Sequence, residues 1–278
     1  MILVTGATGT IGGHVVRLLA DRGVPFRAMS RNPVDLPNAV RADFTDPASL
    51  AAAVAGVDAV FLVTVPPLPS AEHDVAMVAA ATAAGVRKIV KLSAIGSGEP
   101  FDGATVGGWH AEAEAAIAAS GLAWTVLRPP SFASNFLQYQ AMIAAGEPIP
   151  NVFGAARQPI VDPRDVAAVA VAALLDSAHD GRRYDVTGPE LLTFDEQAAI
   201  VERVLGRPVK TVDVDLHAQL AAAGMPSEAI TQVSLGANWA AAGGAEYVTE
   251  HVSRILGRPA GTFEQWVSDH RGAFETMR

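Results

Sequence analysis

The chain has 278 residues, of which 50% are hydrophobic and none is cysteine, and its formal net charge is −9. That length suits one large domain, or a domain with a lobe, and the missing thiols exclude disulfides, thiolate metal sites and cysteine nucleophiles. The acidic balance, without a cluster of Lys and Arg, argues against nucleic acid as a ligand, and no apolar run is long enough to span a bilayer, since the alanine-rich stretch 166–175 is bounded by Arg164, Asp165 and Asp176.

The first element is a short apolar strand, Met1 to Val4, read as 2–5 with its flank. It leaves no room for a signal peptide, so a cytoplasmic protein is expected. The strand breaks at Gly6-Ala7-Thr8-Gly9-Thr10-Ile11-Gly12, after which Ile11, Val15, Leu18 and Leu19 recur at helical spacing over 11–22. Strand, glycine turn and helix together make a dinucleotide site: Gly6 for the tight turn, Gly9 for close approach to the phosphates, Gly12 for close helix–strand packing. Backbone N–H groups of Thr8 to Ile11, at a helix N-terminus, suit a pyrophosphate. The spacing G-x-x-G-x-x-G is less common than G-x-G-x-x-G, and a turn that binds nothing is the alternative.

A second strand, Pro25 to Met29, ends in Ser30-Arg31-Asn32. An NAD site usually carries Asp or Glu at this point for the ribose 2′-hydroxyl; Arg31 suits a 2′-phosphate, which argues for NADP over NAD. The alternative for Arg31 is a solvated loop arginine. The third strand, 38–42, ends in Asp43 and Phe44, read either as adenine contacts or as a turn acid and a core aromatic. The fourth, 58–63, leads into Thr64-Val65-Pro66-Pro67 at a carboxyl end of the sheet, where cofactors bind in such folds. Strands over 86–92 and 123–127 follow, with helices over 47–54, 70–84, 109–120 and 132–145. This alternation implies an α/β protein with a Rossmann-type, doubly wound parallel sheet.

Beyond Arg128-Pro129-Pro130 the segments shorten. Strands are expected near 158–161, 182–187 and 209–214, and helices near 163–176, 193–205, 215–223, 226–241, 244–256 and 262–274. This divides the chain into a cofactor-binding core, 1–128, and a smaller mixed C-terminal substrate lobe, 129–278, integrated with it and without a free linker. The histidines lack metal-ligand spacing, so no metal is expected, and the oligomeric state is left open between monomer and homodimer.

Several segments resemble the atypical short-chain dehydrogenases of the NmrA-like group: Thr5-Gly6-Ala7-Thr8-Gly9-Thr10-Ile11-Gly12, Ser30-Arg31-Asn32-Pro33, Gly85-Val86-Arg87-Lys88-Ile89-Val90 before Leu92-Ser93, and Trp109-His110-Ala111-Glu112 leading to Ser120-Gly121. Leu127-Arg128-Pro129, Val161-Asp162-Pro163-Arg164-Asp165-Val166, Thr187-Gly188-Pro189-Glu190 and Phe263-Glu264-Gln265-Trp266-Val267 extend the likeness over nearly the whole chain. The group includes NADPH-dependent quinone and azo-dye reductases, isoflavone-reductase-like enzymes and NADP-sensing regulators without catalysis. The resemblance therefore implies NADP(H) and a small-molecule substrate, specifying the cofactor better than the substrate.

Typical short-chain dehydrogenases use a serine and a Tyr-x-x-x-Lys helix. Ser93 matches the serine, to be read as a proton relay or as a contact to the nicotinamide ribose. None of Tyr139, Tyr184 and Tyr247 begins Tyr-x-x-x-Lys. In its place stands Trp109-His110-Ala111-Glu112-Ala113-Glu114, and His110 falls where isoflavone-reductase-like enzymes carry a catalytic lysine. An unperturbed imidazole, with a pKa of about 6.5, suits proton donation near neutral pH, and Glu114, four residues on, is placed to orient it or raise its pKa. A substrate or cofactor contact and a structural hydrogen bond are the other readings of His110; for Glu112 and Glu114 the alternative is a solvated helix face. The segment after Pro130 passes beside the nicotinamide in related folds, so Phe132, Asn135 and Phe136, with Trp109, are expected to wall a flat pocket for planar conjugated acceptors. The reading that follows is an NADPH-dependent oxidoreductase acting on a quinone, an enone or a related carbonyl with His110 as proton donor. A non-catalytic NADP sensor and a non-redox isomerase or dehydratase are the alternatives.

Overall fold

A computed structural model of the chain describes residues 1–32 and 36–275. Pro33, the last residue of one quoted motif, lies outside them. The chain folds into two compact units. The first comprises Met1–Ser97, Gly108–Pro129 and Pro163–Asp185; the second comprises Gly98–Gly107, Pro130–Asp162 and the segment from Val186 onward.

The first unit holds seven parallel strands: β1 (Ile2–Val4), β2 (Phe26–Ser30), β3 (Ala39–Arg41), β4 (Ala59–Leu62), β5 (Lys88–Leu92), β6 (Ala123–Arg128) and β7 (Arg182–Asp185). Their order is β7-β6-β5-β4-β1-β2-β3, with Val4 in register with Ala28 on one side and Phe61 on the other. The chain runs outward from β1 through β2 to β3, then returns to place β4 on the other side of β1. That reversal opens a crevice at the carboxyl ends of β1 and β4. The central strands are apolar without alternation because helices cover both faces. On one face Leu3, Val60, Leu62 and Ile89 meet Leu50 of α2 (Pro47–Val54), Met77 of α3 (Glu72–Ala83) and Ile117 of α4 (Gly108–Ala119). The second helical layer is α1 (Thr10–Asp21) packed on α5 (Pro163–Leu175).

Local chemistry sets the ends of these elements. Asp46 caps α2 by accepting from the N–H groups of Ala48 and Ser49, with Pro47 in the first turn. The last turn of α5 is held by Lys88, whose Nζ donates to the carbonyls of Ala173 (2.9 Å) and Asp176 (2.8 Å) while pairing with Asp180. A cation at a helix C-terminus satisfies orphan carbonyls and the dipole together.

The expected division at 128/129 needs correction. It marks where the chain first leaves the sheet, but residues 163–185 return to the first unit. Arg182–Asp185 pairs with Thr125–Arg128 and adds the seventh strand, and Val166, Val169 and Ala170 of α5 are fully buried. A sheet edge beside β6 and an alanine-rich helix apolar on most sides both gain by packing there.

The second unit has its own core, built from Phe136, Ile149, Ile160, Phe194, Val201, Phe263, Trp266 and Phe274. The helix expected over 132–145 is a 3-10 segment over Ala133–Tyr139 followed by an α-helical turn and a half over Gln140–Ala145. The helix expected over 244–256 is confined to His251–Leu256. Gly243 has a φ of +88°, and a Cβ on Gly244 would lie 2.2 Å from the Trp239 ring, so the chain turns there against the indole before a helix can start. The expected 262–274 helix divides at His270, whose ring stacks on Trp266 at 4.3 Å. Among the described residues no helix is long and apolar enough to cross a membrane, and no group of three or more His, Cys, Asp or Glu could hold a metal ion.

Candidate functional site

The crevice between β1 and β4 begins with a buried threonine. Thr5 Oγ1 donates toward the carbonyls of Phe61 (3.1 Å) and Val63 (2.9 Å) and accepts the Val63 N–H (2.7 Å), tying the two strand ends together. Gly6 follows with a φ of +58°. A Cβ on Gly12 would stand 2.1 Å from the Gly6 carbonyl oxygen, so the first turn of α1 can seat against the strand end only with glycine there. Thr8, Gly9 and Thr10 are exposed at the start of α1. Ile11 is 4% exposed and its side chain belongs to the core, which leaves its backbone N–H as its contribution to an anion site.

A cleft of about 650 Å³ opens beside this turn, lined by Gly6, Thr8, Gly9, Arg31, Phe44 and Val65 among others. Phe44 stacks on His73 at 5.2 Å. Asp43 Oδ1 takes the N–H and hydroxyl of Thr45, and those bonds hold its carboxyl below the usual carboxylate range. Thr64, expected at the cofactor, turns its hydroxyl to the buried Asp74 (2.7 Å) and is absent from the cleft lining, where its neighbours Val63 and Val65 stand. Adjoining the cleft is a hollow of about 410 Å³ walled by Arg31, Asn32, Arg41 and Ser49 with Asp43 and Asp46. Both acids are engaged with their own backbone, and the two guanidinium groups are the hollow's cations. Arg31 thus lines both spaces. Arg41 is a second cation, absent from the sequence-based expectation; its place at the end of β3, two residues before Asp43, is the signal that could have found it.

Deeper in the first unit, Ser93 follows β5 and faces α4. Its hydroxyl donates to Glu114 Oε1 at 2.7 Å. Glu114, 3% exposed, also accepts from Arg128 Nε (2.9 Å), Arg128 Nη2 (2.7 Å) and Arg183 Nε (3.0 Å). Burial alone would raise its pKa; the hydrogen bonds from Arg128 and Ser93 outweigh it and hold the carboxyl low. The solvated-face reading of Glu114 is overturned, because α4 turns this position inward. His110 packs against Trp109 with ring centroids 5.1 Å apart, and its Nδ1 is buried without a hydrogen-bond partner. Burial, then the charge of Lys91, push the imidazole down to about 3, against the smaller upward pull of Glu114. The expected effect of Glu114 has the right sign and loses to desolvation, so the ring is neutral at physiological pH.

Lys91 is likewise absent from the sequence-based expectation. It is fully buried, 3.0 Å from Asp74 Oδ1, and its Nζ donates to the Leu92 carbonyl at 2.6 Å. A lone lysine inside Ile89-Val90-Lys91-Leu92 is a signal of this kind, since an unpaired ammonium would not be tolerated in a central strand.

In the second unit, Phe132, Asn135 and Phe136 line one cavity of about 430 Å³ together with Tyr139, Gln158 and Gln197. Phe136 is also core, 3% exposed and in ring contact with Tyr139, Phe194 and Phe263. Trp109, expected in the same pocket, is a first-unit residue beside His110 and is absent from this lining.

Comparison with known proteins accords with the crevice. The model of a family described as NAD(P)H-binding matches residues 6–177. The chain is 41% identical over 282 residues to (4-alkanoyl-5-oxo-2,5-dihydrofuran-3-yl)methyl phosphate reductase of Streptomyces griseus, covering 99% of each. It is 36% identical over 286 residues to the NAD(P)H azoreductase of Xenophilus azovorans, again covering 99% of each. Among solved structures, NADPH-dependent quinone oxidoreductase from Escherichia coli complexed with NADPH superposes with a TM-score of 0.82 at 26% identity, over 97% of this chain and 99% of that one.

Proposed function

Since this chain belongs to the NAD(P)H-binding family, as an NmrA-like atypical short-chain dehydrogenase/reductase, we propose that it reduces a planar conjugated carbonyl compound, a quinone or an enone, with NADPH. It is an NAD(P)-dependent oxidoreductase. The observation that carries the choice of acceptor is the end-to-end likeness to a reductase whose name specifies a conjugated furanone bearing a methyl phosphate and to an NADPH-dependent quinone oxidoreductase.

The residues fit the cofactor. The Gly6 to Gly12 turn leaves backbone N–H groups open at the start of α1 for the pyrophosphate, and Arg31 and Arg41 offer paired guanidinium donors to a 2′-phosphate. Phe44 gives the adenine an apolar contact, with Asp43 beside it, and Val63 and Val65 edge the cleft. Bound NADPH supplies the hydride, and the protein supplies orientation and hydrogen bonding. We assign the first unit to the cofactor.

His110 is assigned to the oxygen of the acceptor. A neutral imidazole N–H stabilises a developing oxyanion by hydrogen bonding and can pass a proton on from water, without carrying charge itself. Its unpartnered Nδ1 supports a role toward a ligand, since an unsatisfied buried polar atom costs about 1–3 kcal/mol. Ser93 has its proton committed to Glu114, so it presents lone pairs, which suits accepting from a nicotinamide ribose hydroxyl and not relaying a proton to substrate. The absence of cysteine accords with a reducing compartment, and we place the protein in the cytoplasm.

The test is steady-state oxidation of NADPH with a panel of quinones and enones. Turnover is expected, and His110→Ala should lower kcat about a hundredfold while leaving KM for NADPH within about threefold. No oxidation with any member of the panel would overturn the assigned acceptor class, and unchanged kcat in His110→Ala would remove His110 from the chemistry.

A further inference from the structure

Two parts of the cleft beside the glycine turn belong to no strand. Past β4 the chain leaves the sheet as Val63-Thr64-Val65-Pro66-Pro67; all but Thr64 line the cleft, and Val65 is 89% exposed. His73, in the first turn of α3, lines it as well and stacks on Phe44. One buried carboxylate is tied to both parts. Asp74, next to His73, is 1% exposed, and its Oδ2 accepts the Thr64 hydroxyl at 2.7 Å. Its Oδ1 lies 3.0 Å from the ammonium of Lys91, which is fully buried and hydrogen-bonds to the Leu92 carbonyl. Residues two apart on a strand share a face, so Lys91 stands on the side where Ile89 meets Met77 and Ile117. An ion pair is thus set into an apolar layer.

A buried ion pair gains little or nothing in stability over apolar residues of similar volume, because desolvating two charges offsets their attraction. Stability alone therefore gives no reason for this pair. What it supplies is a carboxylate fixed where the end of β4 meets the first turn of α3, where the helix dipole also favours negative charge. We propose that Lys91 and Asp74 are positioning residues for the cofactor: through Thr64 they set the Val63–Val65 edge of the cleft, and at the start of α3 they set the His73 ring against Phe44. The proposal rests on the reading that NADPH occupies this cleft. Neither residue is among the described lining residues, so both act through their neighbours. Thr5 grips the same edge one residue earlier, at the N–H and carbonyl of Val63. An edge ordered beforehand spares the cofactor the entropy of ordering it, a factor of about ten in affinity for one residue's backbone.

The experiment compares NADPH dissociation constants, from nicotinamide fluorescence without any acceptor, with urea midpoints. Because the charge of Lys91 also bears on His110, Thr64→Val is the cleaner variant: it removes the tie and keeps the pair. It should raise the Kd about tenfold, and Thr64→Ser, which keeps the hydroxyl, should hold it within about twofold of the parent. Lys91→Met leaves a buried carboxylate unpaired and should lower the urea midpoint steeply; adding Asp74→Leu should recover most of that loss. The doubly substituted protein should still bind NADPH about tenfold more weakly. A pair with a structural role alone would leave the Kd unchanged in every variant that folds, and that result overturns the proposal. A parental Kd in Thr64→Val, with NADPH weakened by Arg31→Ala, overturns the positioning role and spares the cleft as the cofactor site. A Kd indifferent to both Thr64→Val and Arg31→Ala overturns the two together. If the Lys91 variants fail to fold, the two Thr64 variants decide.

Discussion

At the scale of single residues, His110 and Glu114 show how environment redirects chemistry that residue type suggests. They lie four apart on α4, the spacing that lets a carboxylate raise an imidazole pKa. Glu114 is held by two arginines and Ser93, and His110 loses more to burial and Lys91 than it gains from Glu114, so its pKa falls to about 3. The pH dependence follows with a definite sign. In the unfolded chain the imidazole takes a proton near its ordinary pKa of about 6.5, while the folded ring resists until about 3. Across that window the unfolded state binds more protons, so this contribution to stability is whole above about pH 6.5 and is lost as pH falls toward 3. Urea midpoints measured from pH 7 to pH 4 should therefore fall more steeply for the wild-type protein than for His110→Gln, and kcat should show no inflection near pH 6.5. Parallel stability curves would show that the ring titrates normally.

At the scale of elements, the glycine turn is the most constrained connection in the first unit. A methyl group on Gly12 would meet the Gly6 carbonyl oxygen at 2.1 Å, and the nearest atoms are all backbone, so the strain cannot be relieved by a side-chain rotamer. Gly12→Ala is expected to destabilise the protein by at least about 2 kcal/mol or, if α1 shifts to accommodate it, to abolish NADPH binding. A denaturation curve with a fluorescence titration distinguishes it from Gly13→Ala, where the nearest atom would be 3.6 Å away and little change is expected. The strands and helices of this unit are legible in the sequence because hydrophobic period and turn chemistry are local. The observed strands at Ile2–Val4, Phe26–Ser30, Ala59–Leu62 and Ala123–Arg128 each fall within a residue or two of the apolar runs that suggest them. The segment 132–145 reads as one helix in sequence but not in the fold, because its first half is 3-10, a difference in winding that leaves the apolar spacing ambiguous.

At the scale of the whole molecule, cofactor and stability are linked. A ligand that binds the folded chain alone, present at a hundred times its Kd, adds about 2.7 kcal/mol to the unfolding free energy. If Arg31 and Arg41 of the hollow hold the 2′-phosphate as proposed, NADP⁺ should give that increment and NAD⁺, which lacks the phosphate, less at the same concentration. Arg31→Ala and Arg41→Ala should each reduce the NADP⁺ increment toward the NAD⁺ value, each weakening binding by about tenfold or more. Thermal shifts in both cofactors check this, and an Arg41→Ala protein that responds to NADP⁺ like the parent would confine 2′-phosphate recognition to Arg31. Arg31 is legible because it follows the second strand, where the ribose contact is made in such folds. Arg41 has only the weaker signal of its place two residues before Asp43, because its nearness to the end of β2 exists only once Ser30 and Arg41 are in register.

Residue order sufficed for the fold class, the glycine turn and the dinucleotide cofactor, since each is written in consecutive residues whose backbone or charge acts locally. It also singled out His110 and Ser93, whose roles are proposals. Folding was needed to bring residues 163–185 back to complete the first sheet, to commit Glu114 to Ser93 and two arginines, to make His110 neutral, and to form a cavity around Phe132, Asn135 and Phe136. Those outcomes depend on burial and on partners distant in the chain, as in the 69-residue separation of Glu114 and Arg183, and neither desolvation nor such a contact is encoded in local spacing.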